Sequence, residues 1–224
     1  MGERITFPSN GHTASGYLAT PQGGRGPGVV VIQEWWGLVP HIKDVCDRFA
    51  AAGFTALAAD LYHGETTTEP DDAAKKMMAL NIGVAARDLG GAVSWLLGGE
   101  HTTGDGVGTV GFCMGGGLAL NLACASTLIH AAAPFYGVNP TPIDRVHNLR
   151  GPLLAIYAEN DAFAGESVRR DLEQALKAGN IDHEIVVYPG AQHAFFNDTR
   201  SEVYDRDAAA DAWQRVLSHF RQHL

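Results

Sequence analysis

The chain has 224 residues, 46% of them hydrophobic and 18% charged, which is enough apolar content for one α/β domain with a full core. Twenty-five acidic residues against 16 basic ones leave a formal charge of −9, and that removes the electrostatic footprint nucleic acid or an anionic membrane surface would require. Small-molecule chemistry is the class that remains.

The first residues carry Glu3 and Pro8 where an export signal needs an uninterrupted apolar run. No apolar stretch approaches the roughly 20 residues of a membrane-spanning helix. Residues 4–7 and 16–20 flank the turn-prone Ser9, Asn10 and Gly11, which predicts a short N-terminal hairpin. The β-branched run 28–33 then suits a strand buried on both faces of a parallel sheet. A helix is predicted over 41–52, with Ile42, Val45, Cys46 and Phe49 on one face and Gly53 as its stop. Strand 54–59 leads into a loop running to Asp72, followed by helices over 73–80 and 82–97 that Gly98 and Gly99 close.

Strand 108–112, helix 114–125 and strands 129–136, 153–158 and 184–188 complete the series, with helices over 166–178 and 204–220. Alternating strands and helices require right-handed crossovers, so the expected fold is α/β: a mostly parallel sheet with helices on both faces. Residues 1–224 read as one domain with no separate lid. Monomer and small homo-oligomer both stay open.

Between strand 108–112 and the helix after it stand Gly111, Phe112, Cys113, Met114 and Gly115, the G-x-S-x-G nucleophile elbow with cysteine in place of serine. A helix N-terminus at this turn stabilises a thiolate and, later, an oxyanion. Functional residues in open parallel sheets collect at the carboxyl ends of strands, where Asp161 and His193 also fall. The order nucleophile, acid, histidine is that of α/β-hydrolases. In such a set the imidazole removes the thiol proton and the carboxylate fixes the imidazole's tautomer. The backbone N–H groups of Met114 and Trp35 are the candidate oxyanion hole.

Other residues read as structure. Cys46 and Cys124 lie on apolar helical faces, and Glu159 is a neighbouring alternative to Asp161. Three scattered cysteines and unpatterned histidines predict no metal site, and a free thiol suits a reducing cytoplasm. Gly104, Gly106 and Gly108 lack the spacing of a nucleotide loop.

Taken together, Gln33-Glu34-Trp35-Trp36-Gly37, Asp60-Leu61-Tyr62, the elbow 111–116, the segment 157–161 and Gly190-Ala191-Gln192-His193 resemble the dienelactone hydrolase family over nearly the whole chain. The resemblance implies an α/β-hydrolase fold and cofactor-free cleavage of an ester or lactone through Cys113, His193 and Asp161. It also implies that Glu34 keeps the resting thiol protonated and moves aside when substrate docks. Family members hold a substrate carboxylate with two arginines, one after the Asp-Leu-Tyr stretch and one four residues beyond the histidine. Here the second position is Asn197, and between Asp60 and Leu80 only Lys75 and Lys76 stand, on an expected exposed helix face. Arg200 follows a turn-like segment and is not counted as a replacement.

The expected substrate is therefore a neutral ester or lactone in a pocket lined by one of Trp35 and Trp36, with Tyr136, Phe163, Phe195 and Asn197. The same residues leave two other readings open: a non-catalytic binder or thiol sensor, and a thioesterase or peptidase using the same triad.

Overall fold

The computed structural model describes residues 2–9, 11–138 and 142–224. Strands β1 (Glu3–Ser9) and β2 (His12–Ala19) form the expected antiparallel hairpin. Gly11 takes the positive φ of its turn, and Asn10 lies outside the described residues. Strand β3 (Gly26–Ile32) buries Val29 to Ile32 completely, as a run with no polar face must. Helix α1 (Pro40–Ala51) buries the four predicted apolar residues and hands over at Gly53, φ 98°, to strand β4 (Thr55–Ala59).

Helices α2 (Pro70–Ala79) and α3 (Ile82–Gly98) follow, the latter capped by the Asn81 side chain accepting from Val84 N–H. Strand β5 (Thr102–Phe112) starts six residues earlier than expected. Its register with β3 jumps between Pro27 and Gly28, so residues 104–106 bulge out unpaired while both ends pair. Helix α4 (Met114–Ala125) and strand β6 (Ile129–Phe135) lie close to their predicted bounds. A 3₁₀ helix over Ile143–Asn148, too short for a periodic signal, precedes strand β7 (Leu153–Asn160). Helix α5 (Glu166–Ala178), strand β8 (His183–Gln192) and helix α6 (Arg206–His223) end the chain.

One sheet runs β1-β2-β4-β3-β5-β6-β7-β8 and is parallel from β4 onward. Helices α1 and α6 pack together on one face through Phe49, Trp213 and Phe220, while α3 and α4 pack on the other. Strand order reverses between β3 and β5, and such a switch point opens a crevice at the strands' carboxyl ends. Ile32 pairs with Gly111, so Glu34 and Cys113 leave the sheet side by side at that crevice.

Candidate active site

Cys113 occupies the turn between β5 and α4 at φ 57° and ψ −117°, a backbone region that costs a side-chain residue about 1–3 kcal/mol. Its N–H donates to Phe135 O at 3.1 Å, and its carbonyl accepts from Gly116 at 3.0 Å and Val138 at 3.1 Å. The glycines around it are required by close approach. A Cβ on Gly111 would stand 2.0 Å from Gly115 O, and one on Gly115 would stand 2.4 Å from the carbonyls of Ile32 and Gln33. Helix α4 therefore starts almost on the backbone of β3.

Burial pushes the Cys113 thiol up to about 12, and the Glu34 charge adds to this against the opposing Met114 N–H. The Met114 N–H thus lies within reach of the Cys113 thiol. Among the described residues the N–H of Trp35 has no acceptor, which leaves it free for a substrate oxygen. A bridge between Gly37 and Thr66 pins the Trp35–Trp36 loop beside the crevice.

Beyond β8, His193 Nδ1 donates to Asp161 Oδ2 at 2.8 Å. The other oxygen of Asp161 accepts from the N–H groups of Phe163 and Ala164, both at 2.8 Å. Burial alone would raise the Asp161 carboxyl, but these hydrogen bonds and the imidazole outweigh it and hold the group below its ordinary value. Glu159, the alternative acid, instead accepts from Gly190 N–H at the exposed rim. No hydrogen bond joins the Cys113 thiol to His193 in this arrangement.

Glu34 is buried within the site, and burial raises its carboxyl from 4.5 to about 7 despite the Asn197 hydrogen bond and the nearby His193 and Arg200. Asn197 donates its side-chain N–H to Glu34 Oε2 at 2.7 Å. Asn197, expected to line the substrate pocket, is thus a tether for Glu34; it does not line the cavity that contains Cys113 and His193 but an adjoining one.

A cavity of about 270 Å³ opens over Cys113 and His193, walled by Trp35, Trp36, Pro70, Met77, Val138 and Phe163, with Glu34 and Arg200 as its charged members. Both tryptophans face it, since their rings meet edge to face at 5.0 Å and neither covers the other. Phe195 does not line it: the residue is fully buried behind Tyr136 and Tyr188, because the turn beginning at Ala194, φ 66°, rotates it into the core. Tyr136 is likewise fully buried and supports the His193 ring from behind, with centroids 4.9 Å apart.

Two further expectations are corrected. Arg200 does face the cavity, lying 5.7 Å above the Trp36 ring and paired with Glu202 at 2.8 Å. Lys76 is not freely exposed but is paired with Glu65.

The Dienelactone hydrolase family, as a family model, matches residues 14–224. The chain belongs to the dienelactone hydrolase family. Protein usf of Aquifex pyrophilus is 39% identical, with the whole of both chains covered. A provisionally named carboxymethylenebutenolidase of Aquifex aeolicus is 34% identical, again over the whole of both. Among solved structures, a provisionally named dienelactone hydrolase from Klebsiella pneumoniae superposes with a TM-score of 0.91 at 30% identity, covering 100% of this chain and 99% of its own. Membership places the chain among ester- and lactone-cleaving hydrolases of the α/β-hydrolase fold.

Within that dienelactone hydrolase frame, sequence reasoning missed the wall made by α2. Pro70 and Met77 line the cavity together with Phe163, and nothing in the helical periodicity of 73–80 indicates which strand ends the helix overlies. Tyr62 enters the family resemblance only as part of the Asp-Leu-Tyr stretch. Its hydroxyl reaches Met114 Sδ at 3.6 Å, and burial with the adjacent thiol raises the phenol to about 12.

Proposed function

We propose that the protein cleaves a carboxylic ester or lactone with Cys113 as nucleophile, His193 as general base and acid, and Asp161 as the residue that orients the imidazole. The observation that carries this reading is the 2.8 Å bond from His193 to Asp161 at the rim of a cavity that also contains Cys113. In the resting arrangement the thiol keeps its proton against Glu34. Substrate binding displaces that carboxylate, and the thiol proton passes to His193.

The thiolate then attacks the carbonyl carbon. A C–S bond forms, the carbonyl π pair moves to oxygen, and the N–H groups of Met114 and Trp35 stabilise the oxyanion. Collapse breaks the C–O bond, and His193 gives its proton to the departing alkoxide. Water adds to the acyl-thioester while His193 takes its proton; collapse then breaks the C–S bond and His193 returns the proton to sulfur, releasing the acid and the thiol.

A neutral substrate body is the first choice, because the cavity walls are mainly apolar and the Arg200 charge is already answered by Glu202. Arg200 facing the cavity favours a second reading, a lactone bearing a free carboxylate. A hydrolysis panel of neutral esters and carboxylate-bearing lactones, run on wild type and Arg200→Met, separates the two. Only the second predicts a carboxylate preference that disappears in the variant.

For the chemistry itself, Cys113→Ala is expected to abolish hydrolysis of short p-nitrophenyl esters. A variant as active as wild type would show that Cys113 is not the nucleophile. A non-catalytic binder would fail this assay already as wild type.

A further inference from the structure

Among the described residues, the one side chain hydrogen-bonded to the buried Glu34 carboxylate is Asn197, at 2.7 Å. Asn197 is itself held in place. Its Oδ1 accepts from Thr199 N–H at 3.1 Å and from Thr199 Oγ1 at 2.6 Å, so the amide oxygen is occupied and the amide N–H is aimed at Glu34. The backbone of the same segment is turned twice, with Asn197 N–H donating to Ala194 and Arg200 N–H donating to Asn197. Asn197, Thr199 and Arg200 also wall a second cavity of about 440 Å³, which shares Trp36, Pro70 and Arg200 with the first. The tether of Glu34 therefore borders the cavity that adjoins the one over Cys113.

We propose that Asn197 is a positioning residue: its amide, oriented by Thr199, pins the Glu34 carboxylate beside Cys113 and so sets how much thiolate exists before substrate docks. This rests on the reading of Cys113 as a nucleophile restrained by Glu34. A hydrogen bond donated to a carboxylate favours its charged form, and a charged Glu34 disfavours the neighbouring thiolate. Removing the amide makes Glu34 hold its proton to higher pH, so the counterintuitive result is a more reactive cysteine. The other groups facing Glu34 are Cys113 at the elbow, Tyr136 after β6, and His193 and Arg200 beyond β8. All of them stay the same in the variants below.

The test is the rate of Cys113 alkylation by iodoacetamide from pH 6 to pH 9, followed by mass spectrometry of the Cys113 peptide. The proteins compared are wild type, Glu34→Gln, Asn197→Leu and Thr199→Val. With the Glu34 carboxyl near 7, all four react alike at pH 6, where Glu34 is mostly protonated. At pH 8, Glu34→Gln is expected to react about tenfold faster than wild type, Asn197→Leu about threefold to fivefold and Thr199→Val about twofold.

Each failure has its own signature. If Glu34→Gln leaves the profile unchanged, the restraint by Glu34 is wrong. If Glu34→Gln shifts it but Asn197→Leu and Thr199→Val do not, the positioning role is wrong. A merely loosened pocket would accelerate alkylation equally at pH 6 and pH 8, which also overturns the proposal. Thr199→Val, which keeps the Asn197 amide, decides the matter if Asn197→Leu does not fold.

Discussion

Around Cys113 the chain is fixed by backbone pressed on backbone, whereas around His193 and Asn197, at the β7–β8 edge, it is fixed by side chains reaching across open loops. At the elbow, α4 begins within contact of the carbonyls of Ile32 and Gln33, and every residue that must fit there is a glycine. At the edge, β8 is half exposed, Gly190 has open space around it, and the arrangement depends on Asp161, Asn197 and Thr199 finding their hydrogen bonds. Cys113, the proposed nucleophile, is thus placed by steric necessity. The groups that set its ionisation are placed by polar contacts that a single substitution can retune. Such a division lets reactivity and specificity change at the edge while the strained turn stays intact.

The largest effect that probes this difference is on stability. Gly115→Ala puts a Cβ 2.4 Å from two main-chain carbonyls in the middle of the sheet, where nothing can yield. It is expected to cost about 4 kcal/mol in urea unfolding. Gly190→Ala, at φ 74° with nothing within 4 Å, meets only the backbone penalty of a positive φ, about 1 kcal/mol. Equal losses would mean that the edge is as rigidly packed as the elbow.

Next comes the edge chemistry. Asp161→Asn keeps the shape of the side chain but removes the charge that selects the His193 tautomer. It is expected to lower kcat/KM about 10²-fold, less than the ~10⁴ seen in serine triads because a thiol ionises more readily than a hydroxyl. The same variant has a pH signature. Asp161 titrates lower in the folded chain than in the unfolded one, so its stabilising contribution is complete above the unfolded value of about 3.9. That contribution is lost as pH falls through the lower folded value. Asp161→Asn should therefore flatten the acid limb of a stability-against-pH curve below about pH 4 and leave its neutral part parallel to wild type.

The same contrast explains what could be read from the amino acids. The elbow is local: five consecutive residues specify strand, turn and helix, and Gly111, Gly115 and Gly116 are legible because only glycine fits. The β3 segment is legible as an unbroken β-branched run and the α1 face by its helical period, and α4 and α5 lie at their expected bounds. Chain order makes Asp161 and His193 legible, since each leaves the carboxyl end of its strand. The burial of Phe195, the inward turn of Arg200 and the tether from Asn197 to Glu34 were not legible. Each depends on the positive φ of Ala194 and on the turns that follow it, and no residue there demands that geometry as glycine does at the elbow. The bond from Asn197 to Glu34 spans 163 positions, beyond any local pattern.

The smallest effect concerns Phe163, a large apolar side chain left 66% exposed at the end of the Asp161 turn. Its ring meets His193 edge to face at 5.1 Å and forms part of the cavity wall. An aromatic so exposed contributes little to folding, so Phe163→Ala should leave the unfolding midpoint nearly unchanged. What it does contribute is apolar area to a bound substrate, held alike in the ground and transition states. Losing uniform binding raises KM and spares kcat, so KM is expected to rise about threefold with kcat within about twofold of wild type. The opposite pattern, with kcat reduced and KM unchanged, would assign Phe163 to orienting the imidazole. The edge would then position His193, the proposed base, by packing as well as by the bond to Asp161, and the contrast with the elbow would narrow to one of degree.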